Sequence, residues 1–196
     1  MAMVEARAVV LCDDGVFPNS LLPALHYSGL ETENARRRFE SHGWLGSWVD
    51  GVYPFPHYHS TAHEALLVLM GVARLRLGGP GGIEVSVQAG DGLVLPAGVA
   101  HQNLDSSADF RVMGAYPEGH RYDMMYGRPG ERPAADARIA RVPLPRLDPF
   151  HGQHGPLLEH WAPAPEEAET LTVRPKIVIH PPAKATGPHP GSTFQI

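Results

Sequence analysis

The clearest pattern in the chain is a strict alternation of apolar and polar positions through two neighbouring segments. Ala73, Leu75 and Leu77 alternate with Arg74 and Arg76; after a run of glycines around Pro80, Ile83, Val85 and Val87 alternate with Glu84, Ser86 and Gln88. A period of two predicts strands with one buried and one wet face, and the glycine run makes them a hairpin. Glu84 is then placed opposite one of the arginines on the wet face, a pair worth about a few tenths of a kcal/mol. An alternative role for Arg74 and Arg76, as anchors of an acidic substrate, stays open. Ala65 to Met70 is apolar at every position, as expected of a strand covered on both faces. Leu93 to Leu95 and Phe110 to Tyr116 extend the series. In the latter, Val112, Gly114 and Tyr116 share one face; if that face lines a cavity, Gly114 leaves room for a ligand and Tyr116 offers a hydroxyl.

Nearer the start, residues 7–11 read as a strand stopped by Asp13-Asp14-Gly15, and Leu21 to Tyr27 as an extended segment. Glu31 to His42 is the best helix candidate, with Leu30, Ala35 and Phe39 as a narrow apolar stripe, acidic residues in its first turn and Gly43 as its stop. It is expected to pack outside the sheets. Trp44 and Trp48 are expected in the core, with lining of a cavity mouth as the alternative. Pro54 and Pro56, two apart, place that stretch at an edge or rim. The residues divide into 1–50, N-terminal strands and helix; 51–116, the strand-rich core; 117–161, a surface wrap with little periodicity; and 162–196, a tail with a possible strand at LTVRPKIVIH. Arg128, Glu131 and Arg132 are candidates for ion pairs in the wrap.

Composition narrows the class without changing it. A chain of 196 residues with 43% hydrophobic content is long enough for one well-buried domain, and 20 prolines with 21 glycines point to turns rather than long helices. The formal net charge of −5 gives no footprint for nucleic acid, and Arg36-Arg37-Arg38 lies among glutamates. One cysteine, Cys12, precludes an internal disulfide and suits a reducing cytosol. No segment is long and apolar enough for a membrane span or signal peptide, so a cytoplasmic protein is expected.

Chemistry concentrates in Gly51 to Leu104. His57 and His59 are two apart, so a strand there presents both imidazoles on one side, about 6.5 Å apart. Glu64 opens the next apolar strand, and His101 arrives from a distant one after the turn Pro96-Ala97-Gly98. Three nitrogens and one carboxylate suit one divalent transition metal: iron, manganese, nickel, copper or zinc. His63 neighbours Glu64 and so faces the other way. His120, His151, His154, His160, His180 and His189 sit in Pro/Gly-rich loops and tail and are expected in solvent.

These residues resemble a family. Gly51, His57, His59, Glu64 and Gly71 fill cupin motif one, and Gly90, Pro96, Gly98 and His101 match motif two, except that Asp105 stands where the pattern ends in Asn. A narrower resemblance, to the YjlB-type cupins, runs through DDGVFPN, GAYPEG at 114–119, YGRPGERP at 126–133 and RVPLP at 141–145. It implies an all-β, double-stranded β-helix or jelly-roll barrel with a short N-terminal helix and an irregular C-terminal extension, and pairing into a homodimer. The subfamily brings no assigned reaction with it. Cupins with this ligand set include dioxygenases, isomerases, decarboxylases and non-catalytic binders of small molecules. The nearest candidates for proton transfer, Tyr53, Gln102 and Tyr116, include no strong base, which favours an Fe(II) oxygenase over a metal-assisted isomerase. A non-catalytic small-molecule-binding cupin is the other alternative.

Overall fold

The structure, a computed structural model, describes residues 6–162. Nine strands and three short helices follow the chain: β1 (Ala6–Leu11), β2 (Ser20–Tyr27), α1 (Ala35–Ser41), β3 (Trp44–Asp50), β4 (Glu64–Met70), β5 (Val72–Leu77), β6 (Ile83–Gln88), β7 (Gly92–Leu95), β8 (His101–Ser106), β9 (Arg111–Pro117), α2 (Ala134–Ile139) and α3 (Pro156–His160). They form two antiparallel sheets, ordered β1-β2-β7-β4-β9-β3 and β6-β5-β8. This is the all-β barrel of cupin type that the family resemblance implied, built from the strands that the alternation predicted.

Pleating sorts the side chains of the large sheet. Leu66 and Val68 of β4, Leu93 and Leu95 of β7 and Val112 of β9 pack with Leu75, Leu77, Val85 and Val87 of the smaller sheet, making the barrel interior. The intervening Ala65, Leu67, Val94, Met113 and Ala115 point to the opposite face, where Phe39 of α1 and Phe150, Leu157 and Trp161 cover them. A slip of one residue in β4 would exchange the two sets, so the register is set by burial on both faces. It is also what aims Glu64 into the barrel.

The hairpin of β5 and β6 pairs Arg76 directly with Glu84, and both Arg74 and Arg76 reach that carboxylate, at 3.4 and 2.8 Å. Their guanidiniums lie on the wet face, away from the barrel interior. On the other side of β5, the ladder to β8 shifts register between Arg74 and Leu75, so Asp105 pairs with Arg74 but Asn103 with Leu75. The departure from motif two therefore coincides with an irregularity in the ladder.

Several expectations are corrected. The helix is shorter than Glu31 to His42: Asn34 takes a left-handed conformation (φ 55°) before it, and Glu31 and Glu33 lie outside its first turn, their carbonyls accepting from Arg38. His57 and Tyr58 form isolated bridges, to His101 and Met125, rather than a continuous strand. The wrap is no mere surface cover. It contributes α2 and α3, and Asp148 within it is fully buried, accepting from the Tyr27 hydroxyl and from the N–H groups of Phe150, His151 and Leu157. Of the three ion-pair candidates there, Arg132 does pair, with Asp13 and Asp136, whereas Arg128 lies 4.4 Å over the Tyr126 ring and Glu131 accepts from Tyr126 N–H, Gly127 N–H and the Tyr58 hydroxyl. His154 and His160 are exposed, but His120 and His151 are half-buried. The tail strand, with His180 and His189, lies outside the described residues.

Candidate metal centre

His57 and His101 pair as antiparallel neighbours: His57 N–H donates to His101 O (3.1 Å) and His101 N–H to His57 O (2.8 Å). Side chains of such a pair stand on the same face, and the two imidazoles lie with ring centroids 4.0 Å apart. The turn before His101 depends on Gly98, at φ 94°, where an added Cβ would run into the Asn19 carbonyl. Gly98 N–H in turn donates to His59 O (2.8 Å), tying the third imidazole to the same turn. Asn19 secures it from the other side, donating to Cys12 O and Gly78 O and accepting from Ala100 N–H.

Three imidazoles converge, and one ligand atom from each of His57, His59 and His101 lies within 4.8 Å of the others. Each ring is held by its Nδ1. His57 Nδ1 meets Phe55 O (3.1 Å), His59 Nδ1 meets Asp123 O (2.6 Å) and His101 Nδ1 meets Val99 O (3.2 Å). A carbonyl only accepts, so Nδ1 carries a proton in each, and Nε2 is the ring atom each imidazole has free to meet a cation or to share a proton with Glu64. Glu64 supplies the fourth group. Its Oε2 stands 3.2 Å from His101 Nε2 and 3.5 Å from His59 Nε2, while Oε1 accepts from the Tyr116 hydroxyl at 3.0 Å. Oε2 is buried and, among the described residues, has no neighbour to bond with besides these two nitrogens.

Such a group fits a cation better than it fits a protein interior alone. Three imidazole nitrogens and a carboxylate face one another out of water and need a shared positive charge. In the metal-free site burial opposes a proton on His59, but Glu64 outweighs it and shifts that ring's pKa up; a cation held by all four would satisfy the group as a whole. The electrostatics point the same way. Burial, with His101 close by, takes His57 down to about 3, so it is a neutral donor at neutral pH. Burial opposes ionisation of Glu64, but His59 and His101 outweigh it and hold its carboxyl below the usual range. The Tyr116 phenol is pushed far up, first by burial and then by the Glu64 carboxylate, so it stays a protonated donor.

A cavity of about 360 Å³ opens over these groups. Trp48, Tyr53, Tyr122 and Met124 line it with Tyr116. Of the two tryptophans, Trp44 is core, its Nε1 donating to Leu147 O, whereas Trp48 lines the cavity and donates to the Tyr116 hydroxyl at 2.8 Å. Gly114 does face inward, but the space it leaves is filled by the Trp48 indole and is not free for a ligand. Tyr53 stands at the mouth, 5.3 Å edge-on to His57. Gln102 points out of the barrel, donating to Pro54 O, so it is not placed for proton transfer in the cavity. His63 faces away from the centre, accepting from Ala97 N–H and packing against Trp161. Arg74 and Arg76 do not reach the cavity.

The wrap adds what the alternation could not reveal. Asp123 fixes His59 through its carbonyl, and its carboxylate is gripped by Ser60 and by Arg138 of α2. Tyr122 stacks on Tyr116 at 4.8 Å. The one trace of this in the sequence is the apolar and aromatic run Tyr122 to Tyr126 within an otherwise Pro/Gly-rich stretch.

Fold, framing glycines and inward imidazoles together define a cupin. No family model matches the chain. It is 42% identical over 160 residues to YjlB of Bacillus subtilis (strain 168), across 80% of this chain and 97% of that protein. The chain belongs to the YjlB family of cupins. Solved structures similar to it include a DUF861 family protein from Thermotoga maritima (19% identity, 44% of this chain and 94% of that one, TM-score 0.29). Acireductone dioxygenase from Bacillus anthracis, with cadmium in its active centre, is 14% identical over 47% of this chain and 63% of its own (TM-score 0.33). Oxalate decarboxylase OxdC of Bacillus subtilis is 20% identical over 53% and 28% (TM-score 0.34). At such scores the fold assignment rests on the strands themselves. No described helix is long and apolar enough to cross a membrane.

Proposed function

We propose that this protein is a mononuclear metal-dependent cupin enzyme, most simply an oxygenase, in which His57, His59, Glu64 and His101 hold one divalent transition metal, with Fe(II) the favoured ion. The observation that carries this is the pinning of all three Nδ1 atoms on backbone carbonyls, with three Nε2 atoms and one carboxylate oxygen left facing one another. Four protein ligands on a six-coordinate ion leave two positions for a small organic substrate and oxygen. The metal would supply oxygen activation or Lewis acidity. The chain's own residues bind and orient: Tyr116 holds Oε1 of Glu64, and the aromatic walls keep bulk water from the centre.

Oxygen chemistry is favoured over isomerisation because, among the described residues, the cavity holds no buried base beside the ligands: its other proton-carrying groups are tyrosines and the exposed carboxylate of Asp50 at the rim. Tyr116 is its one buried hydroxyl apart from the ligand set, and burial with Glu64 keeps it protonated. Anaerobic reconstitution with Fe(II), followed by oxygen uptake across a panel of small organic molecules, tests the reading. Metal-dependent uptake with at least one compound is expected. Turnover indifferent to oxygen would instead identify an isomerase, and binding of an unchanged ligand without any turnover would identify a non-catalytic cupin.

A further inference from the structure

The cavity over the imidazoles is walled by rings rather than by charges. On the His57 side, Tyr53 and Phe55 stack at 4.9 Å with an interplanar angle of 20°, and both stand edge-on to that imidazole. On the His59 side, Tyr122 stacks on Tyr116 and meets His59 edge-on at 4.8 Å. Tyr53, Phe55 and Tyr122 are 54%, 39% and 47% exposed, and among the described residues they are the exposed aromatic side chains. Tyr53 and Tyr122 both line the cavity, and Phe55 backs Tyr53. Apolar rings left together in water around a cavity mark a surface that a ligand covers.

Charge narrows the class of that ligand. Among the described residues no lysine or arginine lines the cavity; the charged side chains there apart from the histidines are Glu64 at the floor and Asp50 at the rim. In the metal-free cavity a carboxylate loses its hydration, finds no guanidinium or ammonium among the described lining residues and is repelled by Asp50 at the rim; a divalent ion at the floor would offset Glu64 but would leave that rim unchanged. A ring without negative charge loses little and gains stacking or edge-to-face contacts; a cationic one also gains from the faces of the tyrosines.

We propose that the site takes a small, non-anionic molecule built on a planar ring, which covers Tyr53 and Tyr122 and presents its polar atom toward the imidazoles. Its class follows from the walls alone; its orientation rests on the metal-centre reading above.

Four probes separate ring from charge: benzyl alcohol, benzylammonium, benzoate and oxalate. Binding is measured first on the full-length protein stripped of metal by chelator, using ligand-observed NMR. Benzyl alcohol and benzylammonium are expected to bind at least fivefold more tightly than benzoate or oxalate. A Tyr53→Ala, Tyr122→Ala variant, checked for an unchanged unfolding temperature, is expected to weaken the neutral probe at least fivefold. Equal or tighter binding of benzoate or oxalate overturns the proposal, as does an unaltered affinity in the double variant. The protein is then loaded with Mn(II), its content established by elemental analysis, and paramagnetic broadening of the ring probes is recorded. Broadening supports the orientation. Binding without broadening, in protein that does hold manganese, overturns it. Failure to hold manganese overturns the metal-centre reading while the metal-free ranking still decides the ligand class.

Discussion

Replacing Tyr116 by phenylalanine removes one oxygen atom and tests how the fold aims its carboxylate. The Tyr116 hydroxyl donates to Glu64 Oε1 at 3.0 Å and accepts from Trp48 Nε1 at 2.8 Å, so Oε1 is occupied and Oε2 alone turns toward the imidazoles. A hydrogen bond to a charged group contributes about 1.5–3 kcal/mol, and groups that orient a metal ligand typically set affinity by about 10–100-fold. Metal affinity of Tyr116→Phe, read by competition with a chromophoric chelator, is therefore expected to fall by about 10–100-fold. The ring volume is unchanged and Trp48 still fills the space over Gly114, so the metal-free variant is expected to fold. Tyr53→Phe serves as the control, since the Tyr53 ring stands at the mouth beside His57 and is not a neighbour of Glu64 Oε1. An affinity within threefold of the parent, with folding intact, would refute the claim that Tyr116 orients Glu64.

Removing two ligands at once, in a His57→Ala, His59→Ala variant, is expected to leave less than a tenth of the bound metal by elemental analysis of untagged protein. Retention near the parent's content would place the metal elsewhere. His63, buried and facing away from the centre, is lowered from 6.5 to about 4 by burial and by nearby His120. Below pH 6.5 the unfolded chain takes up a proton that the folded state refuses, so stability present at neutral pH is lost as the pH falls from 6.5 through 4. At ~1.4 kcal/mol per unit that loss is roughly 3 kcal/mol. Denaturant unfolding of His63→Gln, whose side-chain oxygen can still accept from Ala97 N–H, is expected to show a shallower decline across that window; an identical decline would remove His63 from the account. Asp148→Ala strands the four donors that Asp148 gathers and is expected to cost about 3–5 kcal/mol in the same assay. A loss below about 1 kcal/mol would mean that water replaces the carboxylate.

How far the sequence carried depends on the range of the forces involved. Hydrophobic patterning is a local property, so β4, apolar throughout, and the alternating β5–β6 hairpin are legible from spacing, whereas spacing groups Val112, Gly114 and Tyr116 on one face of β9 without saying which face turns inward. The helix was misjudged at its start because acidic residues before Ala35 mimic a first turn. Asn34 in a left-handed conformation ends the extended chain instead, and Arg38 uses the carbonyls of Glu31 and Glu33. The segments DDGVFPN and YGRPGERP, far apart in sequence, meet through Arg132 on Asp13. Neither segment alone reveals that contact.

The sequence by itself determined the strands with a clear apolar pattern, the family and the residues proposed to share one ion, because period, turn chemistry and ligand type are written residue by residue. Only the tertiary structure decided that Asp123 fixes His59, that Trp48 rather than a ligand occupies the space above Gly114, that Gln102 points outward and that aromatic rings wall the cavity. Those outcomes depend on which loop lies over which strand. That placement comes from packing between segments up to a hundred residues apart, as when Trp44 reaches Leu147, and no local pattern encodes it.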